Sequence, residues 1–408
     1  MSLSYQDIEA AAGRLTGVAA KTPIITDNRL SAKLDADIHF KAECLQRSGS
    51  FKIRGAYNKI SQLSDEEKRR GVIAASAGNH AQGVALAARL NGIESTIVLP
   101  EFAPLTKINA TREFGARVVL HGSSFDEAVD HSRELQKEHG FTYVHAFEDE
   151  QIIAGQGTIG MEIAEFLADV TKVIVPIGGG GVIAGTALAI KHLVPDVRVI
   201  GVEASNIAVI NRSIDAGEPV EVPFKPTIAD GIAIKRPGSI PLKIIEENVD
   251  EVVEVTEEEI ATGIYHCVQN NHLVVEGAGA AGAAALLAGK IDVAQGDVVC
   301  AVLCGGNIDA NLLARVLEHV LVRQGRYLIV KALVDDRPGK LSALLDRVAK
   351  KGASVMEVYH RRAMYLAPLG SVGIELLLEV RNEEHGVEIL EYLEESGYDV
   401  TRKVVDEW

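Results

Sequence analysis

Short apolar runs alternate with amphipathic stretches along the first third of the chain. Three pairs of a predicted strand and a following predicted helix share this pattern: residues 71–75 with 81–90, 95–99 with 104–114, and 117–120 with 124–138. Strands that alternate with helices at this spacing predict parallel βαβ units. Because the strands are almost wholly apolar and are bounded by glycine or proline, the pattern indicates a sheet covered by helices on both faces.

The same alternation resumes near residue 155 and predicts a second α/β region. Its strands are predicted at residues 172–177, 197–202 and 297–304. The proline-rich residues 219–241 predict loops between them. The region ends with a predicted helix at residues 311–322, so we predict that the first domain comprises residues 1–322.

The pattern changes from residue 327 onward, where hydrophobic and polar positions alternate as in strands of an exposed sheet. The predicted elements form a βαββαβ order: strand 327–334, a helix ending at 350, strands 354–359 and 372–380, helix 384–396 and strand 399–405. This order is that of a ferredoxin-like unit, and about 80 residues suffice for a small domain. We therefore predict a separate second domain comprising residues 323–408.

The composition excludes several classes of partner. The 408 residues carry a net charge of −16, which disfavours binding to a nucleic-acid backbone or an anionic membrane. The first residues lack the basic and apolar regions of a signal peptide, and no apolar run is long enough to span a bilayer. The four cysteines form no CxxC pair. We therefore expect a cytoplasmic protein with reduced thiols.

One lysine lies in an unusual setting, since Lys52 follows Phe51 within a stretch of small residues after a predicted strand. Exclusion from water disfavours the charged form of a lysine, and the free amine can then attack an aldehyde. The alternative interpretation is a solvated surface lysine in a Gly/Ser turn, which is the common state of lysines.

A glycine loop provides the second candidate site. Four consecutive glycines lie between a predicted strand and a predicted helix: Gly178, Gly179, Gly180 and Gly181. Their backbone N–H groups can enclose a phosphate at the helix N-terminus, whereas a tight turn needs only one or two glycines. The pattern Gly179-x-Gly181-x-x-Ala184, with Glu203 about 20 residues further on, also matches a dinucleotide-binding fingerprint. At this point a dinucleotide enzyme remains the alternative.

Two further segments lie where predicted strands end. The segment Ser76, Ala77, Gly78, Asn79 and His80 suits a substrate carboxylate at a helix N-terminus, and Asn79 could bond a ring hydroxyl. It could equally be an N-capping turn, with His80 as a packing residue. In the segment 303–307, Cys304 is either an inert buried thiol or a neutral partner for a ring nitrogen.

Together these four motifs resemble the threonine/serine dehydratase family. The motifs occur in the order Ser50-Phe51-Lys52-Ile53-Arg54-Gly55-Ala56, Ser76-Ala77-Gly78-Asn79-His80-Ala81-Gln82-Gly83, the glycine loop, and Cys304-Gly305-Gly306-Asn307. This resemblance covers about residues 5–320. It implies a two-lobed pyridoxal-phosphate enzyme of fold type II, similar to the tryptophan synthase β subunit, with a small lobe at about residues 45–145. Residues 327–405, with the turn at Pro338 and Gly339, resemble a regulatory ACT domain.

The resemblance implies a role for each motif. Lys52 would hold pyridoxal 5′-phosphate covalently and later take the substrate Cα proton, while Phe51 would pack near the ring. The glycines Gly178, Gly179, Gly180 and Gly181 would hold the phosphate. Asn79 would bond the ring hydroxyl, and Cys304 would meet the pyridine nitrogen. Ser76, Ala77, Gly78, Asn79 and His80 would bind the substrate carboxylate.

The implied activity is threonine ammonia-lyase, which forms 2-oxobutanoate and ammonia from L-threonine, and also pyruvate from L-serine. A neutral thiol at Cys304 would make the cofactor a weaker electron sink and favour β-elimination over transamination. Serine racemases have similar motifs, but with serine at the position of Ala77, where it serves as a second base. Alanine cannot accept a proton, so Ala77 favours the dehydratase. A serine racemase or dehydratase, and a catalytically inactive amino-acid sensor, remain as alternatives.

Regulation and assembly complete the expectations. The ACT resemblance implies that an amino-acid effector binds beside Pro338 and Gly339, and that the chain pairs into a dimer or tetramer. Glu203 can help to hold a cation in this family, but the nearby Ile207 and Val209 lack the carboxylate that would complete such a site. We therefore expect no metal.

Overall fold

A computed structural model describes residues 3–103, 105–361 and 368–402. The chain divides into two units, Met1–Ala310 and Asn311–Trp408. The predicted boundary between residues 322 and 323 lies at the C-terminal end of the helix Ala310–Arg323, whereas the structural division lies at its N-terminal end. Within the described ranges, every helix is too short or too polar to span a lipid bilayer.

The elements are numbered in chain order. The helices are α1 (Tyr5–Leu15), α2 (Asn28–Leu34), α3 (Lys52–Ile60), α4 (Asp65–Arg70), α5 (Asn79–Leu90), α6 (Leu105–Glu113), α7 (Phe125–His139), α8 (Glu150–Phe166), α9 (Gly181–Leu193), α10 (Ile210–Ala216), α11 (Ser239–Asn248), α12 (Glu257–Asn271), α13 (Gly277–Leu287), α14 (Ala310–Arg323), α15 (Lys340–Lys350) and α16 (Glu383–Glu395). The strands are β1 (Ile24–Thr26), β2 (Asp37–Lys41), β3 (Val72–Ala75), β4 (Ser95–Leu99), β5 (Arg117–Leu120), β6 (Thr142–Tyr143), β7 (Lys172–Pro176), β8 (Arg198–Ala204), β9 (Glu251–Val255), β10 (Val298–Val302), β11 (Tyr327–Asp335), β12 (Ser354–Arg361), β13 (Ser371–Glu379) and β14 (Asp399–Arg402).

The larger sheet of the first unit has six strands in the order β1-β2-β10-β7-β8-β9. All neighbours from β2 to β9 are parallel, and β1 is antiparallel at one edge. The central strands β7 and β10 are buried along their whole length. Since a parallel sheet must be covered on both faces, this arrangement agrees with the predicted α/β class.

The smaller sheet has the order β5-β4-β3-β6, and all its pairings are parallel, as the βαβ pattern predicts. Successive residues of β3 point to opposite faces. Val72 and Ala74 pack in one core with residues of α5, and Ile73 packs in a second core with Ala128 of α7. Helices therefore cover both faces of this sheet. We call this part of the unit the small lobe, and the part around the six-stranded sheet the large lobe.

Three helices begin earlier than the apolar periodicity predicts. The periodicity predicts helices from residues 54, 81 and 186, whereas α3 begins at Lys52, α5 at Asn79 and α9 at Gly181. Glycine and small polar residues carry little hydrophobic signal, so the periodicity misses a first turn that is built from them. Consequently Lys52, Asn79 and Gly181 are each the first residue of a helix.

The second unit contains a four-stranded antiparallel sheet in the order β12-β13-β11-β14. Helices α15 and α16 contribute Leu344, Val348, Ile389 and Leu393 to a core formed with the sheet. The βαββαβ order agrees with the predicted one. The last strand is described to Arg402, and the predicted residues 403–405 lie outside the described range.

Candidate active site

A cavity of about 870 Å³ lies in the first unit, where loops of the small and large lobes meet. It is lined by segments that follow the carboxyl ends of parallel strands: residues 76–80 after β3, residues 178–181 after β7, and Cys304 after β10. Open α/β sheets bind their ligands at this end. Every residue that the sequence predicts for the catalytic site lines this one cavity.

Lys52 projects into the cavity from the first turn of α3. Its Nζ donates a hydrogen bond to the Ala146 carbonyl oxygen at 3.2 Å and lies 5.0 Å from the centre of the Phe51 ring. Burial lowers the pKa of Lys52 to about 8, because the charged form loses its hydration. The amine is therefore far closer to its nucleophilic form at neutral pH than a surface lysine is.

Cys304 lies beside Lys52 because two loops pair. The Phe51 backbone N–H donates to the Cys304 carbonyl oxygen at 3.2 Å, and Ser50 forms a β-bridge with Gly305. Burial, reinforced by the charge of Glu276, raises the pKa of the Cys304 thiol well above its ordinary value. The thiol is therefore neutral, as the sequence-based interpretation assumed.

The glycine loop fits a phosphate group. Gly180 has φ +92, a conformation that favours glycine, and a Cβ on Gly179 would lie 2.2 Å from the Phe147 ring. A Cβ on Gly178 would lie 2.9 Å from the Ile232 backbone. The loop runs directly into α9, whose first N–H groups have no acceptor within the helix. Larger residues are therefore excluded, and backbone donors are available to an anion at the cavity wall.

Residues 76–80 form the turn into α5. The Gly78 backbone N–H donates to Ser76 Oγ at 3.2 Å, and Ala77 and Asn79 also line the cavity. His80 is buried, and its Nε2 donates to the Val144 carbonyl oxygen at 2.8 Å. Burial lowers the pKa of His80 to about 3. A neutral histidine whose proton is held by a backbone carbonyl favours the packing alternative over that of a catalytic base.

Glu276 and Phe147 belong to the cavity wall, and sequence reasoning missed both. Glu276 immediately precedes α13 and accepts a hydrogen bond from Asn79 Nδ2 at 2.5 Å. Burial raises the pKa of Glu276 to about 7. Phe147 covers the glycine loop. The only sequence signal for Glu276 is an acidic residue at a helix start, which is common at exposed helices too.

Two ion pairs connect the lobes at the rim of the cavity. Lys107 of α6 pairs with Asp230, and Asp126 of α7 pairs with Lys235 at 2.6 Å. All four side chains line the cavity and are partly exposed. We call these two pairs the rim pairs.

In a dinucleotide site, the carboxylate of Glu203 would bind a ribose hydroxyl. Here Glu203 binds backbone N–H groups instead. Its carboxylate accepts hydrogen bonds from the N–H groups of Val209 at 2.8 Å and Ile210 at 3.1 Å. The carboxyl is buried, and burial raises the pKa of Glu203 to about 7. This geometry disfavours the dinucleotide alternative. In the described part of the chain, no cluster of three or more His, Cys, Asp or Glu side chains could hold a metal ion.

Comparison with known proteins identifies the family. Residues 15–305 match the family described as "Pyridoxal-phosphate dependent enzyme". The chain is 48% identical to an L-threonine ammonia-lyase of Thermotoga maritima, over 98% of this chain and 99% of that protein. Among solved structures, it resembles a processed threonine deaminase isoform of Solanum lycopersicum, with TM-score 0.73 and 38% identity over 77% of this chain and 87% of the other. It also resembles maize serine racemase, with TM-score 0.74 and 32% identity over 79% and 99% of the two chains. The protein whose cavity brings together Lys52, the glycine loop and Cys304 therefore belongs to the family of pyridoxal-phosphate-dependent enzymes.

Proposed function

We propose that this protein is a threonine ammonia-lyase that converts L-threonine to 2-oxobutanoate and ammonia, and L-serine to pyruvate and ammonia. The observation that carries the proposal is the convergence of Lys52, the glycine loop, Asn79 and Cys304 on one cavity of about 870 Å³. The L-threonine ammonia-lyase of Thermotoga maritima aligns over nearly the whole chain, which supports the same activity here.

Each group of residues contributes one part of the site. When bound, pyridoxal phosphate supplies an electron sink for the electrons of the substrate Cα–H bond. The glycine loop and the first turn of α9 would hold its phosphate, and Lys52 would hold its aldehyde carbon through Nζ. The first turn of α5 offers backbone N–H groups to the substrate carboxylate.

Lys52 also moves the proton. With substrate bound, Nζ would accept the Cα proton, a task for which a pKa of about 8 is well matched near neutral pH. Loss of the Cα proton and of the Cβ hydroxyl leaves an enamine, and hydrolysis of this enamine yields the 2-oxo acid and ammonia. The rim pairs and Phe147 enclose the site and limit the access of water.

The neutral thiol of Cys304 directs the outcome toward elimination. A thiol that stays protonated places no negative charge beside the ring nitrogen, so the electron sink is weaker than it would be beside an aspartate. Cys304→Asp is therefore expected to increase transamination and racemisation relative to 2-oxo acid formation. An unchanged product partition, measured with L-serine, would show that Cys304 has no such influence.

Two measurements test the proposal. Purified holoenzyme should release 2-oxo acid from L-threonine and L-serine, and Lys52→Ala should lose this activity. Borohydride reduction of the resting protein, followed by peptide sequencing, should attach the cofactor to Lys52. Label at another lysine, or no 2-oxo acid from either substrate, would overturn the assignment. The latter result would favour a catalytically inactive amino-acid sensor.

Serine racemase is a second candidate because of the similarity to the maize enzyme. Racemisation requires a second proton-accepting group on the opposite face of the substrate, and the methyl group of Ala77 cannot serve as one. Chiral analysis of L-serine after incubation with the enzyme separates the two activities. We expect pyruvate with little D-serine, and D-serine in excess of pyruvate would favour the racemase.

For the second unit we propose an ACT domain that regulates the enzyme, with a functional boundary between residues 322 and 323. Its support is the βαββαβ order and the turn at Pro338 and Gly339 before α15, where Gly339 has φ +87. An amino acid such as isoleucine or valine binds beside this turn and favours one state of a cytoplasmic dimer or tetramer. Truncation after Arg323 should preserve 2-oxo acid formation and remove the response, whereas an equal response would contradict this role.

A further inference from the structure

The side chain of Asn79 is held from two sides inside the cavity. Its Nδ2 donates to Glu276 Oε1 at 2.5 Å, and its Oδ1 accepts from Asn307 Nδ2 at 2.7 Å. A side-chain amide has two N–H hydrogens and one carbonyl oxygen. These two bonds direct the carbonyl oxygen toward Asn307 and use one hydrogen of Nδ2, and they leave its second hydrogen as the donor available to a ligand.

Glu276 is the more decisive of the two partners. Asn307 Nδ2 also lies 2.9 Å from the Ser48 carbonyl oxygen and 3.3 Å from Gln82 Oε1, so its two hydrogens are divided among three acceptors. The Glu276 carboxyl is buried, and it can only accept from Asn79 when that amide presents nitrogen. Glu276 thus fixes the orientation of the Asn79 amide, with Nδ2 toward the carboxyl of Glu276 and Oδ1 toward Asn307.

The surrounding backbone is shaped to fit this pair. The Glu276 backbone N–H donates to the Gly305 carbonyl oxygen at 3.0 Å. A Cβ on Gly305 would lie 2.2 Å from Glu276 Oε1 and 2.9 Å from Asn79 Nδ2. The loop after β10 therefore packs so closely over the bond between Glu276 and Asn79 that only glycine fits at position 305.

We propose that Glu276 is a positioning residue that orients the Asn79 amide, so that Asn79 offers its remaining N–H, and not its carbonyl oxygen, to the ring oxygen of pyridoxal phosphate. This inference rests on the proposed function of Asn79. An N–H donor stabilises the ionised ring oxygen, whereas a carbonyl oxygen would require the ring oxygen to keep its proton. Glu276 thereby controls the protonation state of the cofactor without touching the substrate.

The charges around Glu276 make its effect depend on pH. Apart from burial, Asp230 raises the pKa of Glu276, while Asn79, Lys107 and Lys52 lower it. The neutral thiol of Cys304 faces the same carboxyl. With a pKa of about 7, Glu276 becomes a carboxylate above neutral pH, and hydrogen bonds to a carboxylate are stronger than those to a neutral carboxyl. Asn79 is therefore held most firmly above pH 7.

The test compares the absorbance of the holoenzyme from pH 6 to 9 in the wild type, Glu276→Gln and Glu276→Ala. Glutamine can still accept from Asn79 through its amide oxygen, but it does not ionise. Glu276→Gln should therefore keep the absorbance bands that the wild type shows above pH 7. Its spectrum should not vary near pH 7, where ionisation of Glu276 changes the wild-type spectrum. Alanine should increase the absorbance band of the cofactor with a protonated ring oxygen. It should also lower kcat by about tenfold to a hundredfold, with KM for threonine changed much less. Glu247→Ala, an exposed glutamate on α11, is the matched control.

Gly305→Ala provides an independent variant, since its methyl group displaces the same pair and should cause the same spectral change. Thermal unfolding of each variant separates misfolding from misplacement. A wild-type spectrum and kcat in folded Glu276→Ala would overturn the inference, as would identical behaviour of the alanine and glutamine variants. Failure of the proposed function itself is distinguishable, because the wild type would then form no 2-oxo acid or carry no cofactor at Lys52.

Discussion

Two groups of ion pairs connect separate segments of the catalytic unit, and they differ in burial. The first group surrounds Arg54, two residues after Lys52 on α3. Its guanidinium donates to both oxygens of Glu43 at 2.7 and 2.8 Å and to both oxygens of Glu162 at 2.7 and 2.9 Å. Arg54 and Glu43 are 1% and 0% exposed at their side chains. The second group is the rim pairs, whose side chains are 22% to 67% exposed.

Because of this difference in burial, we expect the two groups to contribute very different amounts to the free energy of unfolding. Removing one partner of a buried ion pair lowers the free energy of unfolding by about 3–5 kcal/mol, because the other charge remains without water or a counterion. An exposed pair contributes about 0–1 kcal/mol and weakens in salt. The buried group therefore fixes the start of α3, and with it Lys52, relative to the turn after β2 and to α8. Breaking a rim pair should cost little free energy.

The strongest test of this contrast is Arg54→Met. We expect it to lower the free energy of unfolding by about 3–5 kcal/mol, because Glu43 is left buried without its partner. Urea unfolding measures the loss. Lys21→Ala removes the exposed pair between Lys21 and Glu165 and serves as the control, with an expected change of about 0–1 kcal/mol. Equal losses in the two variants would contradict the contrast.

The pH dependence of stability provides a smaller effect with a defined sign. Burial raises the pKa of Glu43, but the charge and hydrogen bonds of Arg54 outweigh burial, so the pKa is below its ordinary value in the folded state. A carboxyl with a depressed folded-state pKa stabilises the protein above its unfolded pKa of about 4.3 and loses this contribution as the pH falls. We expect wild-type stability to fall below about pH 4.3, and more steeply than that of Glu43→Gln. Urea unfolding between pH 3 and 6 measures both slopes, and parallel slopes would show that Glu43 is not the source.

The same contrast explains what could be predicted from the sequence. Lys52, the glycine loop and Cys304 lie in contiguous motifs at predicted strand ends, so local pattern and family resemblance suffice to nominate them, and the structure places them around one cavity. Arg54 stands in the same motif as Lys52, but its partner Glu162 is 108 residues away along the chain. Nothing in a local pattern indicates that the two meet.

Glu276 was missed for the same reason. It is 197 residues from Asn79, and the two meet only because the loop after β3 and the start of α13 face the same cavity. Strand β9 was also missed: it lies at the edge of the large sheet and is only partly buried, and two glutamates stand among its valines. Sequence pattern thus predicts the elements and the groups that each motif carries, while contacts between distant motifs require the tertiary structure.

The smallest expected effect on stability comes from the rim pairs. Asp230→Asn should change the free energy of unfolding by less than about 1 kcal/mol, because the pair with Lys107 is partly exposed. Its effect should appear instead in kcat/KM for threonine, since a pair that closes the cavity acts while the substrate is bound. In the wild type, added salt should move kcat/KM toward the value of the variant, and the variant itself should respond less to salt. The charge-exchanged double variant Lys107→Asp with Asp230→Lys should recover part of the wild-type kcat/KM. A large loss of stability in Asp230→Asn, or an equal response to salt in the wild type and the variant, would show that the rim pair is a fixed structural contact like that of Arg54.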